Sequence, residues 1–173
     1  PTELGSGGGS TSSGSGGRGG GAVFLNVTDT LTINGSIKVD GGNGVYASYR
    51  GGGGAGGSVY IIANIIAGSG SISSNGVNGG DSNAGAGGGG RIAIYHTTDN
   101  SNWAITAYGG TTSTREGGAG TIYKKQSSQT YGSLTIDNGA KTFSSSNFND
   151  FGRPASTTAA DTIIPTNYTF DAV

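Results

Sequence analysis

The chain contains no cysteine and no methionine, a single histidine and three prolines. Without cysteine it has no disulfide and no thiolate metal site, and His96 alone cannot assemble a histidine-ligated metal centre. Absence of cysteine fits an exported protein that folds without disulfides, although it does not by itself fix the compartment. Charged residues are only 11% of the chain and the net charge is −1, with Lys and Arg spread thinly. No basic stripe is available for nucleic acid. No apolar run is long enough to cross a membrane as a helix.

Helical signals are missing as well. No window carries apolar residues at i, i+3, i+4 and i+7 without an intervening glycine, and each glycine costs a helix about 1 kcal/mol. Proline is too rare, and the G-X-Y period absent, for collagen. The chain begins at Pro1 without Met or a leader-like segment, which reads as a processed product or a fragment of something longer.

What is abundant is glycine, 38 of 173 residues, and it is organised. Four glycine blocks each end just before a similar apolar strand, beginning at Ala22, Ser58, Arg91 and Thr121, so 36, 33 and 30 residues apart. A second strand follows each after 14, 13, 12 and 12 residues, beginning at Ser36, Ser71, Trp103 and Ser133. Two landmarks in fixed order, four times, define a repeat. The fourth unit is more polar (Lys124, Lys125), as expected of a terminal repeat.

The first repeat shows three apolar segments: Val23/Leu25/Val27, Leu31/Ile33 and Ile37/Val39, with Asn34-Gly35 as a turn. Three short strands per unit of about thirty residues predict an all-β chain, a parallel β-solenoid whose stacked repeats bury a continuous core. The glycine blocks are then expected to stack as extended, polyproline-like segments closing one side of each coil, because only glycine permits so close an approach. The alternative is an antiparallel β-sandwich with hairpins at the Asn-Gly turns. Residues 1–15 read as a Gly/Ser-rich linker and 16–140 as the four repeats. Residues 141–173 hold two of the prolines and read as an extended C-terminal segment: a connector, a cap or a donor strand. Its Ile163, Ile164, Tyr168 and Phe170 are candidates for assembly with another molecule.

Candidate chemistry is sparse. Asp40, Asn75 and Asp137 each lie four residues after the start of a second strand, with glycine following closely. The ordinary expectation is an Asx-stabilised turn repeated from unit to unit. The sharper one is a Ca²⁺ site using Asp40 and Asp137, although no acidic cluster surrounds them and the Gly/Asp nonapeptide calcium pattern is missing. His96 with Asp99 and one of many serines is not a specific triad signal. Glu3 and Glu116 are the only glutamates, so an acid pair for glycoside cleavage would have to come largely from Asp. Aromatic residues near the glycine blocks and strand ends, Tyr60, Trp103 and Tyr108 among them, are candidates for stacking on sugar rings, or else they cover a thin core.

Stretches such as GGGAVFLNVTDTLTINGSIKVDGGNG and GGGGAGGSVYIIANIIAGSGSISSNG resemble the Gly-rich repeat regions of large secreted, adhesin-like microbial surface proteins. The resemblance covers residues 16–140. It implies a non-enzymatic extracellular or cell-surface protein, a stalk, adhesin segment or fibre subunit, whose partners are other copies, surface or matrix proteins, or glycans. A carbohydrate-binding module is the alternative, and a polysaccharide-cleaving enzyme a further one.

Overall fold

The computed structural model describes residues 1–12, 14–45, 51–80, 84–112 and 115–139. These residues hold eight strands and no helix: β1 (Ala22–Thr32), β2 (Ser36–Lys38), β3 (Ser58–Gly68), β4 (Ser71–Ser73), β5 (Arg91–Ser101), β6 (Ala104–Thr106), β7 (Thr121–Gln126) and β8 (Ser133–Thr135). They form two sheets, a five-stranded one in the order β1-β3-β5-β7-β8 and a three-stranded one in the order β2-β4-β6.

The first residues of the long strands stand in register, Ala22 beside Ser58, Ser58 beside Arg91 and Arg91 beside Thr121, all in parallel pairing. Side chains alternate along each strand. One face therefore collects Val23, Leu25, Val59, Ile61, Ile92 and Ile94, and these pack with Ile33, Ile66 and Ile72 in the core. Val59, Ile61, Ile66, Ile72 and Ile94 are completely buried.

This arrangement corrects the expected architecture. The parallel β-solenoid with three strands per coil is not what forms; the strands lie in two open sheets. The segments Val23–Val27 and Leu31–Ile33 do not make two strands. The first and most of the second belong to one strand, because a register shift at Thr28 and Asp29 absorbs an extra residue and lets pairing with β3 resume at Thr30. Among the described residues no third strand follows β2, β4 or β6, because glycine takes over. The segment at Ser133 does not extend the β2-β4-β6 sheet either. It turns back and pairs antiparallel with β7, Leu134 opposite Tyr123. The antiparallel sandwich does not form either, since every other strand pair among the described residues is parallel. The Asn34-Gly35 turn passes the chain from one sheet to the other rather than closing a hairpin. At the matching corner of the second repeat Gly68 has φ +100°, and a Cβ there would lie 2.3 Å from the Ile33 carbonyl oxygen.

The glycine segments form a second structural body beside the sheets, with two segments per repeat instead of one. Segment 51–57 shows how it is built. The amides of Gly52 and Ala55 donate to Gly9 and Ser6, those of Gly53 and Gly56 to Gly85 and Gly88, and those of Gly54 and Gly57 to Gly42 and Val39. Partners thus recur every third residue, the signature of an extended helix with three residues per turn and no internal hydrogen bonds. Its carbonyls accept from Gly17, Gly20, Val77 and Gly80, so the segment is bonded to five neighbours. Gly5 and Gly8, in the stretch read as linker, hydrogen-bond to Gly20 and Gly17 and lie inside this bundle. The C-terminal segment 141–173, with Ile163, Ile164, Tyr168 and Phe170, lies outside the described residues.

Candidate functional site: an aromatic row on the five-stranded sheet

The outward face of the large sheet carries the least explained chemistry. By register, Phe24, Tyr60, Ala93 and Tyr123 share one row across β1, β3, β5 and β7. Two residues further along, Asn26, Ile62, Tyr95 and Lys125 make the next row. Ala93 leaves a gap that Tyr95 flanks, giving a continuous line of rings: Phe24 to Tyr60 at 5.2 Å, Tyr60 to Tyr95 at 5.7 Å and Tyr95 to Tyr123 at 5.7 Å between centroids. The separations follow from strand spacing, and the tilted and edge-on contacts are the favourable ones for aromatic pairs. Phe24 is 55% exposed and Tyr95 36%, large values for rings on a sheet that has a buried face elsewhere. Burial, with the neighbouring Tyr123 and Tyr60, raises the Tyr95 phenol above its ordinary pKa, so it stays a neutral donor at pH 7.

Two cations flank the row. Arg91 lies on one side, in register with Ser58 and Thr121, and Lys125 on the other, in register with Tyr95. No acidic residue occupies these three outward rows. Beside Lys125 a pocket of about 210 Å³ is lined by Ile62, Tyr95, His96, Thr97, Lys125 and Ser127. His96 is only 7% exposed and its Nδ1 is sealed without a hydrogen-bond partner. Desolvation, then the nearby Lys124 charge, lowers its pKa against an opposing pull from Asp99, so the ring is neutral at pH 7. Lys124 is committed elsewhere, to a salt bridge with Asp99. Burial alone would raise the Asp99 pKa, but hydrogen bonds from Lys124 and Ser101 and the Lys124 charge outweigh it and bring it to about 2.

The other predicted site residues are placed as follows. Tyr60 stands in the row. Trp103 and Tyr108 flank β6 on the small sheet and are not brought to it. Trp103 packs on the core and donates through Nε1 to the Ala67 carbonyl at 3.0 Å. Tyr108 is held by Asp137, and burial, then the Asp137 charge and hydrogen bond, raises its pKa. Asp40 spends both oxygens on structure, accepting from the Asn75 amide at 2.7 Å and the Ser73 hydroxyl at 2.9 Å. Asn75 in turn accepts from the Tyr108 amide at 2.7 Å, and Asn138 from the Gly109 amide at 2.7 Å. The Asx ladder therefore runs through Asp40, Asn75 and Asn138, while Asp137 accepts from the Gly139 amide at 2.8 Å. Among the described residues no three of His, Cys, Asp and Glu converge as metal ligands. A larger cleft of about 590 Å³, lined by Ser6 to Thr11, Gly52, Gly53 and residues 84–88, offers only small side chains.

The sequence places Tyr60, Tyr95 and Tyr123 among the aromatic residues near glycine blocks and strand ends, but Phe24 was missed. A signal for it was present: Phe24, Tyr60 and Tyr123 are each the third residue of a strand that follows a glycine block. No protein family, curated protein or solved structure matches the chain. Among the described residues no helix is long and apolar enough to cross a membrane.

Proposed function

We propose that this chain is a non-enzymatic structural and adhesive segment of an extracellular or cell-surface protein, a stiff spacer that presents a patterned face. The observation that carries this reading is the glycine bundle, in which segment 51–57 alone is hydrogen-bonded to five neighbouring segments. Such a body has almost no side chains with which to do chemistry. Its backbone bonds instead tie each repeat to the next, which suits resistance to shear. The resemblance to Gly-rich regions of secreted microbial surface proteins points the same way.

A stalk or adhesin segment fits better than a self-assembling fibre subunit. Growth by parallel addition to the large sheet needs a free β7 edge, and β8 occupies that edge in the opposite direction. Electron microscopy of the purified chain at rising concentration tests this. Separate short rods of constant length are expected throughout. Regular filaments would make it a fibre subunit, and shapeless particles would remove the spacer reading altogether. The aromatic row favours a second reading, a carbohydrate-binding module, because exposed rings in line are otherwise costly to leave in water.

A further inference from the structure

The face around the aromatic row differs in charge from the rest of the chain. The protein as a whole carries −1, yet the three outward rows hold Arg91 and Lys125 and no acid of their own; Glu3 reaches the Arg91 row from the N-terminal segment, where its carbonyl accepts from the Ser58 hydroxyl. Neither cation takes part in the salt bridge found among the described residues, which joins Lys124 to Asp99 on the other face. At the Lys125 end lies the pocket containing His96, more than nine-tenths buried and without a side-chain hydrogen-bond partner at Nδ1. His96 shares the Ile94 face of β5, so its ring is turned away from Tyr95 and Lys125. Rings for stacking, two cations and the Tyr95 hydroxyl make one surface complementary to a ligand with flat apolar faces and repeated negative charge.

We propose that this surface binds an acidic polysaccharide, a polymer of uronic acid sugars. The sugar faces lie along Phe24, Tyr60, Tyr95 and Tyr123. One carboxylate meets Lys125 beside the Tyr95 hydroxyl, and Arg91 meets a carboxylate on the opposite side of the row. The polymer runs across the strands, so each repeat contributes to one continuous footprint. The glycine bundle is not involved, and the proposal rests only on the adhesive half of the function given above.

The test is a titration of the full chain with an oligogalacturonate, with the neutral galactose oligomer of equal length, and with single-stranded oligothymidylate. The acidic sugar is expected to bind at least about tenfold more tightly than the neutral one, with the difference shrinking as salt is raised. K125A and R91A should each weaken oligogalacturonate binding about tenfold while the circular dichroism spectrum stays unchanged. Y60A should weaken the acidic and neutral sugars alike. Equal affinity for the two sugars, an unaffected K125A together with an unaffected R91A, or no binding of either sugar overturns the proposal. Tighter binding of oligothymidylate than of oligogalacturonate overturns it too, in favour of a single-stranded nucleic acid. None of these results bears on the rods expected by microscopy, so the two readings fail separately.

Discussion

G54A is expected to destabilise the chain by about 3 kcal/mol, lowering Tm by about 10 °C, or to prevent folding. A Cβ at Gly54 would stand 1.9 Å from the Arg18 carbonyl oxygen and 2.6 Å from its carbonyl carbon. Both atoms are backbone in a neighbouring glycine segment, so neither can swing aside. Gly54 also donates to Gly42 and accepts from Val77, and any shift that relieves the clash breaks bonds to two further segments. Gly118 is the control. It belongs to the same bundle and accepts from the Gly89 amide, but a Cβ there meets nothing within 4 Å. G118A should change stability by less than about 1 kcal/mol, because alanine also restricts the unfolded chain. Thermal denaturation of the two variants separates close packing from mere glycine content. Equal effects would show that the bundle does not depend on close approach of its segments.

I61A is the second large effect, a loss of about 4 kcal/mol. Ile61 is 0% exposed, with Leu25 and Ile94 beside it in register on the buried face. Strands fixed on both sides prevent the site from collapsing, so a cavity remains. F24A, one position from the core row but on the opposite face and 55% exposed, should cost less than about 1 kcal/mol. Urea unfolding of both variants gives the comparison. A core that tolerated I61A would mean that the glycine bundle alone holds the repeats together.

Much of the repeat could be read in advance. The long strands begin where the glycine blocks end, at Ala22, Ser58, Arg91 and Thr121, because alternating Val and Ile residues there can bury one face. What the sequence did not reveal has physical causes. Thr28 and Asp29 look like a break between strands, yet a bulge carries the pairing across them. Ser133 to Thr135 resembles the earlier second strands in composition, but β7 is the last long strand and offers it an unpaired edge. The threefold periodicity of segment 51–57 leaves no trace in a run of six glycines and Ala55, since it is a property of where backbone amides point. The aromatic row emerges only after the register is known, because Tyr95 belongs to it from a different position along its strand. The Asx ladder was legible through Asp40 and Asn75, whereas its last member is Asn138 and not the aligned Asp137.

The central claim is that the glycine segments are structure, bonded as firmly as the strands. Amide hydrogen exchange on the full chain tests it most directly. The amides of Gly54 and Gly87, which donate to Gly42 and Val77, should exchange as slowly as those of Ile61 and Ile94 in the core strands. Exchange of the two glycine amides at the rate of an open loop, with the strand amides still protected, would contradict it.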